Sequence, residues 1–547
     1  MPNKLFGHLY IALELRRLFP TGCHGQIYAE YIRIKYCLPS VFYVDWRPLG
    51  PLLLCIADPE VAAQPAVTTL TQTKDGTVKN IMKRILGNQN IITAHGAEWR
   101  ALRNLFSPAF QPQHLIPLTD SVVDSCLTFC DILSEKAKSN DIFRLNDTTL
   151  RATVEMICGV IFGTDIACQT TMHPMTRLFL ERIEMMPNAF FLWEDFRPLR
   201  RLKLAINKGR LDASINHEID AYLARRRAEK DSCFNQPPTS RKFYGKDGTR
   251  SIIQLTLNTF EKERNILITD PAEMPDSLRV DVVDSVKAII FAGYDATGAT
   301  LCWIFYLLHR YPRVQAKLKQ ELDAVFPDSP EGTAAAIKAD HFIIGNLPYT
   351  SAVIKETLRL FPPASGLRAG GQQTETLTDP RTGERFPMWP HCAVWPCAHM
   401  IHRNTRFYPE PLQFIPERWL RAETPFPESE LLTSPAGKLA FRAFGRGPRA
   451  CIGLELAMMQ MRVVIALTAR QFDFVPEYPG EMPDPQYPTP NSLVDEVSEL
   501  NDYGRGIREK KVKRDHIEGH RMYMQLVMIG KPTGGAPGRV YLRNSST

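Results

Sequence analysis

Residues Phe444–Gly453 read FGRGPRACIG and run directly into the apolar stretch Leu454–Ala469. Gly445, Gly447 and Gly453 permit backbone angles closed to other residues. The pattern predicts a tight loop that delivers Cys451 to the start of a helix. Backbone N–H groups and the positive end of the helix dipole there favour a thiolate over a thiol. The remaining cysteines are scattered, with no CxxC pair, and most lie in apolar runs such as those of Cys55, Cys158 and Cys302. Small buried thiols of a reducing compartment look like this. A lone thiolate is wrong for structural zinc, which wants four ligands. It suits a metal whose equatorial positions are already filled, as in haem, where a thiolate ligand pushes electron density outward and favours O–O cleavage.

Other chemistries fit the loop less well. Gly445–Ala450 formally matches GxGxxA, a dinucleotide fingerprint. The preceding KLAFRAF is not a buried strand, however, and no acidic residue follows about 20 positions on in a βαβ unit. A nucleophilic cysteine would need a well-placed histidine base, which the pattern does not supply. An inert core cysteine is the plain alternative. Five fixed residues would recur by chance on the order of 10⁻⁴ times in a chain of this length.

The elements that must position this loop are mostly helical. The longest helix is predicted over Asp276–His309, apolar almost all round and therefore buried. Its centre carries Gly293, Asp295, Thr297 and Gly298. The glycines imply either close packing of a neighbouring helix or a local kink where a ligand needs room beside a proton source. A helix over Tyr349–Leu360 ends before Pro362, an extended segment holds Arg368, and a hairpin is predicted around Arg381–Gly383. Gly50–Pro59 reads as a strand, and Ala97–Ile343 is mostly helical. Residues 232–250 read as an exposed loop and 478–515 as a surface insertion.

Composition sets the outer limits. The chain has 547 residues, 44% apolar and 23% charged, which is globular and excludes collagenous or wholly disordered chains. A net charge of +7 over this length is mild and argues against nucleic acid, which wants a concentrated basic stripe. Forty-two prolines imply many turns and helix starts. No run approaches the ~18 consecutive apolar residues of a spanning helix. The N-terminal apolar run is broken by Glu14, Arg16 and Arg17 and lacks the cleavage site of a secretory signal.

With these motifs in hand, the sequence resembles the cytochrome P-450 superfamily of haem-thiolate monooxygenases over nearly its whole length. The loop matches FxxGxRxCxG at each fixed position, and the resemblance counts Phe444 and Gly445 among the cofactor-binding residues. The resemblance implies a mainly α fold with a small β-rich layer and one domain over 1–547, its haem lying between the long helix and the cysteine-loop helix. It makes Cys451 the axial ligand of haem b and Arg449 a partner of a haem propionate. Trp99–Arg103 matches WxxxR above the propionates, and Arg368 resembles the strand arginine that also reaches them. Glu356 and Arg359 match ExxR, and at i and i+3 they share one helix face. Arg418, in FIPERW, resembles the third member of that structural ion-pair network.

The chain departs from the family in its long helix. The family motif [AG]Gx[DE]T[TS] reads AGYDAT here, Ala292–Thr297, with Ala296 in the place of the relay threonine and Thr297 one position later. One residue is a rotation of about 100°. Asp295 and Thr297 are the candidate catalytic residues. The change raises desaturation, isomerisation or dehydration without O₂ insertion as an alternative activity, and a non-catalytic haem binder as another. The resemblance implies an apolar small-molecule substrate, O₂, and a separate NADPH-dependent flavoprotein reductase docking near Lys438, Arg442 and Arg446. The style looks most like filamentous-fungal secondary-metabolism members, and the resemblance implies the cytoplasmic face of the endoplasmic reticulum, with a cytosolic or peripheral location as the alternative where no spanning helix is read. Microsomal relatives begin with a spanning anchor and a proline-rich hinge, and neither is read in this N-terminus. Met185–Phe196 falls where a peripheral membrane contact would lie, with a buried helix end as the other reading.

Overall fold

The computed structural model describes residues 8–48, 50–64, 67, 76–163, 166–185, 198–233, 251–268, 270–370, 374–390, 392–478, 517, 521–527 and 529–543. The predicted loop at 232–250 and the insertion at 478–515 therefore lie almost wholly outside the described residues, as does Met185–Phe196 apart from its first residue.

One helix organises the molecule. Asp276–Arg310 runs 35 residues, roughly 50 Å at ~1.5 Å per residue, through the main hydrophobic core. It is also the one helix among the described residues long and apolar enough to cross a membrane. Its most apolar window is 83% buried inside the protein, as a core helix requires. Its main neighbour is the apolar helix Leu145–Phe162. The two central glycines serve that packing. A Cβ at Gly293 would lie 2.9 Å from the Ile157 side chain, and one at Gly298 would lie 3.0 Å from Leu150 Cδ2. The Thr153 hydroxyl reaches across to the Tyr294 carbonyl at 3.0 Å. The helix is unbroken through this stretch, so close packing, rather than a kink, accounts for the glycines.

Three further helices complete the frame. Gly96–Phe106 buries Trp99, Leu102, Leu105 and Phe106 at helical spacing, and Ser107–Pro108 then ends it. Pro348–Leu360 starts on a proline, which lacks an N–H to satisfy, and stops before Pro362. Its end meets the central helix where Phe361 stacks on Trp303, ring centroids 3.9 Å apart. Leu454–Thr468 is buried along most of its length.

The β structure is peripheral and small. The predicted strand is Leu52–Ile56. It pairs antiparallel with Val41–Asp45 and parallel with Ala393–Pro396, which in turn pairs with Arg368–Ala369. The predicted hairpin is Glu375–Thr378 with Arg385–Met388. Two carboxy-terminal sheets were not foreseen: Phe143–Arg144, Pro537–Leu542 and Phe472–Pro476 form one, and Met524–Val527 with Ile529–Pro532 forms the other.

Candidate active site

The cysteine loop is a sequence of short-range backbone bonds. Gly445 N–H donates to Arg442 O at 2.9 Å, Ala450 N–H to Gly447 O at 3.0 Å, and Cys451 N–H to Phe444 O at 2.8 Å. Gly445 and Gly447 take φ of 68° and 77°, where only glycine is unstrained. Gly453 does not fit that expectation. Its φ is −92°, which any residue adopts, and its contribution is its N–H, directed at the Cys451 sulfur. Burial raises the free thiol's pKa, partly offset by that N–H and by Arg103. The loop thus does not by itself make a free thiolate, contrary to the expectation from the dipole alone, since desolvation is the larger effect. The thiol is nonetheless accessible.

The loop is held from below by a buried ion-pair cluster. The Glu356 carboxylate accepts from Arg359 Nε and Nη2 at 2.8 Å each and from Arg418 Nε at 2.9 Å. Trp419 Nε1 and the Ile415 N–H complete its shell at 3.0 and 3.1 Å. These charges hold its pKa at about 2, against burial that would raise it. Arg359 also donates to the carbonyls of His402, Pro411 and Gln413. His402 accepts the Arg442 N–H at Nε2, 2.9 Å away, and so carries its proton on Nδ1, which faces Arg359 O. The chain of contacts runs from Glu356 to Arg442, whose carbonyl accepts the Gly445 N–H of the loop.

A second set of arginines is arranged differently. Arg449 stacks on the Trp99 ring at 4.3 Å and donates to Ala94 O at 2.6 Å. Arg103, one turn after Trp99, donates to Ala450 O at 3.1 Å. Arg449 is depressed to about 10 by burial and by repulsion from Arg368 and Arg103, so the three guanidinium groups are neighbours. Arg368 is likewise lowered by burial alone. Arg368 Nη1 and Arg449 Nε are buried without a hydrogen-bond partner. Among the described residues no carboxylate pairs with Arg103, Arg368 or Arg449. Three desolvated like charges are unfavourable unless an anion completes them. A planar group bearing two carboxylates and open to a thiolate on one face fits this set, and haem is such a group.

The central helix has a gap in its burial. Ala292 is exposed, and Gly293 and Ala296 are half-buried, amid buried neighbours on both sides. The face turned to this opening is therefore Ala292 and Ala296, one helical turn apart. Asp295 and Thr297 are buried on its flanks, 1% and 3% exposed. Asp295 Oδ1 lies 2.6 Å from Lys531 Nζ, a partner that nothing in the motifs foreshadowed. Arg442, expected on the surface as part of a reductase patch, is buried: its guanidinium donates to Ala62 O and its backbone to His402. Lys438 and Arg446 are exposed.

The sequence model of the family described as Cytochrome P450 matches residues 44–498. The chain belongs to the cytochrome P450 family. It is similar to the cytochrome P450 monooxygenase acrF of Aspergillus aculeatus, 30% identical over 84% of this chain and 89% of that protein. It is also similar to the cytochrome P450 monooxygenase polC of Polytolypa hystricis, 29% identical over 98% of this chain and 88% of the relative. In fold it matches a crystal structure of a cytochrome P450 with a TM-score of 0.66, at 18% identity, over 94% of this chain and 97% of that one. Cytochrome P450 enzymes are oxidoreductases that use haem with cysteine thiolate ligation, and this chain is one of them.

Proposed function

We propose that this cytochrome P450 is a monooxygenase that inserts one oxygen atom of O₂ into an apolar small molecule, as a tailoring step of fungal secondary metabolism. The observation that carries the reading is the accessible thiol of Cys451 together with three arginines that lack a carboxylate partner among the described residues. Cys451 would hold the iron, while Arg103, Arg368 and Arg449, backed by Trp99, would hold the propionates. Phe444 and Gly445 shape the loop around the thiol. Bound there, haem supplies oxygen activation at a thiolate-ligated iron.

The protein's own part is to place the thiol, exclude water and manage protons. The Ala292–Ala296 face offers room but no hydroxyl. Asp295 is the carboxylate of this stretch, and Thr297 the nearest hydroxyl in sequence. The relatives named monooxygenases support the activity. Electrons would come from an NADPH-dependent flavoprotein reductase, with Lys438 and Arg446 on the docking face, at the cytoplasmic face of the endoplasmic reticulum. One observation favours a second reading, desaturation, isomerisation or dehydration without O₂ insertion: the alanine at position 296 on the face turned to the opening.

The test is the reduced carbon-monoxide difference spectrum of purified wild type and Cys451→Ala. A red-shifted thiolate Soret band that vanishes in the variant is the expected result. A wild type without that band defeats the reading. NADPH dependence of turnover separates the two activities. Peroxide released per NADPH in Thr297→Ala and Ala296→Thr then shows which position governs proton delivery.

A further inference from the structure

Lys531 is an unusual residue to find where it lies. It sits in the strand Ile529–Pro532, 9% exposed, with its ammonium 2.6 Å from Asp295 Oδ1. No hydrogen-bond donor with good geometry reaches either Asp295 oxygen among the described residues, so the ammonium is what compensates this carboxylate. The strand that presents it is fixed on two sides. Gly530 N–H donates to Pro363 O at 2.7 Å, just after the helix that carries Glu356. Its partner strand is tied to the N-terminal segment by Leu526 N–H to Gly22 O at 2.8 Å and His24 N–H to Met524 O at 3.0 Å. Lys531 therefore reaches the central helix from a rigid mount.

Asp295 is the only carboxylate between Lys287 and His309. It adjoins Ala296, on the face turned to the opening, by a rotation of about 100°. That face has no hydroxyl to orient a proton. Burial raises the Asp295 pKa and Lys531 offsets only part of that rise, so without the cation the group would hold its proton more tightly or turn away, and either change would alter proton delivery at the opening.

We propose that Lys531 is a positioning residue for the oxidation, holding the Asp295 carboxyl group in one orientation beside Ala296 so that it relays protons through water to the Ala292–Ala296 opening. This rests on the monooxygenase reading. It differs from a purely structural ion pair in what its loss does to proton-dependent steps.

The experiment compares wild type, Lys531→Met, Lys531→Arg, Asp295→Asn and the Lys531→Met/Asp295→Asn double variant. Melting temperatures are read first on the cofactor-free chain. Each single neutral variant is expected to melt several degrees lower, and the double variant no lower than Lys531→Met. Additive losses would overturn the pair itself. Second, the holoenzyme is supplied with NADPH and a fungal flavoprotein reductase without substrate, and NADPH oxidation is followed in H₂O and D₂O. Lys531→Met and Asp295→Asn are expected to slow it alike, on the order of tenfold, the low end of what a positioned acid–base group contributes. Both should change the solvent isotope effect, with Lys531→Arg restoring most of the rate. A Lys531→Met holoenzyme with wild-type rate and isotope effect overturns the proposal, even if it melts lower. Failure of the monooxygenase reading shows separately, as a wild type lacking the thiolate Soret band.

Discussion

Two groups of arginines, one fully buried and one partly buried, are compensated in opposite ways. Arg359 and Arg418 share the Glu356 carboxylate, and their remaining N–H groups go to carbonyls of His402, Pro409, Pro411 and Gln413. Among the described residues, Arg103, Arg368 and Arg449 have two carbonyls and one indole ring between them, and no carboxylate. The first group is complete within the polypeptide, so it can act only as structure. The second is complete only with an anion that the described residues do not supply, which marks it as a binding site. The sign and completeness of compensation distinguish scaffold from site where residue type alone does not.

The largest expected effect comes from breaking the closed group. Glu356→Ala leaves two guanidinium groups buried without an anion, a loss of about 3–5 kcal/mol or more. Denaturant unfolding, or soluble yield where the variant does not fold, measures it. A variant as stable as wild type would show that the carbonyls alone compensate both charges. Acid should find the same weak point. Glu356 titrates at about 2 in the fold against an ordinary 4.5. Its folded pKa is depressed, so its stabilisation is present above about 4.5 and is lost as pH falls toward 2. By linkage this amounts to about 3 kcal/mol. Urea midpoints measured between pH 5 and pH 2.5 should fall more steeply in wild type than in a folded Glu356→Gln protein.

How much of this could be read from the chain depends on how far apart the partners are. The central helix was bounded to within a residue at either end, because its signal is local and long: predicted Asp276–His309, observed Asp276–Arg310. The Glu356–Arg359 pair follows from its i, i+3 spacing. Arg418 entered only through the family resemblance, since nothing local ties it to Glu356. Trp419 closes the FIPERW segment, yet its role depends on where its indole lands. Lys531 was missed because a lone lysine in an apolar hairpin reads as a solvated side chain until the fold places it against Asp295. Arg442 was misread for the same reason, its burial being set by Ala62 and His402 from distant segments. The apolar strand pattern of Met524–Pro532 was available and would have found the hairpin, though not its lysine.

The open group should respond with the opposite sign in the two states of the protein. Arg449→Leu removes a desolvated cation that has no anion, so the cofactor-free chain should be as stable as wild type or more so. The same change removes a charge-assisted contact worth about 1.5–3 kcal/mol once haem is bound, so haem retention should fall on the order of tenfold or more. Transfer of haem to apomyoglobin measures the second effect and thermal melting of the cofactor-free chain the first. If Arg449→Leu destabilises the cofactor-free chain as Glu356→Ala does, the two groups do not differ in kind.

The smallest effect is the sharpest check on how completely the closed group is satisfied. Trp419→Phe deletes one of the five hydrogen bonds to Glu356 and leaves the two from Arg359, the one from Arg418 and the one from Ile415. Trp419 Nε1 donates to Oε2, which also accepts from Arg359 Nε, so neither oxygen is left bare. A ring remains to pack against Tyr408 and Phe441. The cost should then be that of one hydrogen bond without an unsatisfied-charge penalty, about 1 kcal/mol, with the haem spectrum unchanged. A loss approaching that of Glu356→Ala would mean that the indole, rather than the two arginines, keeps the carboxylate ionised, and the acid transition of Trp419→Phe would move to higher pH accordingly.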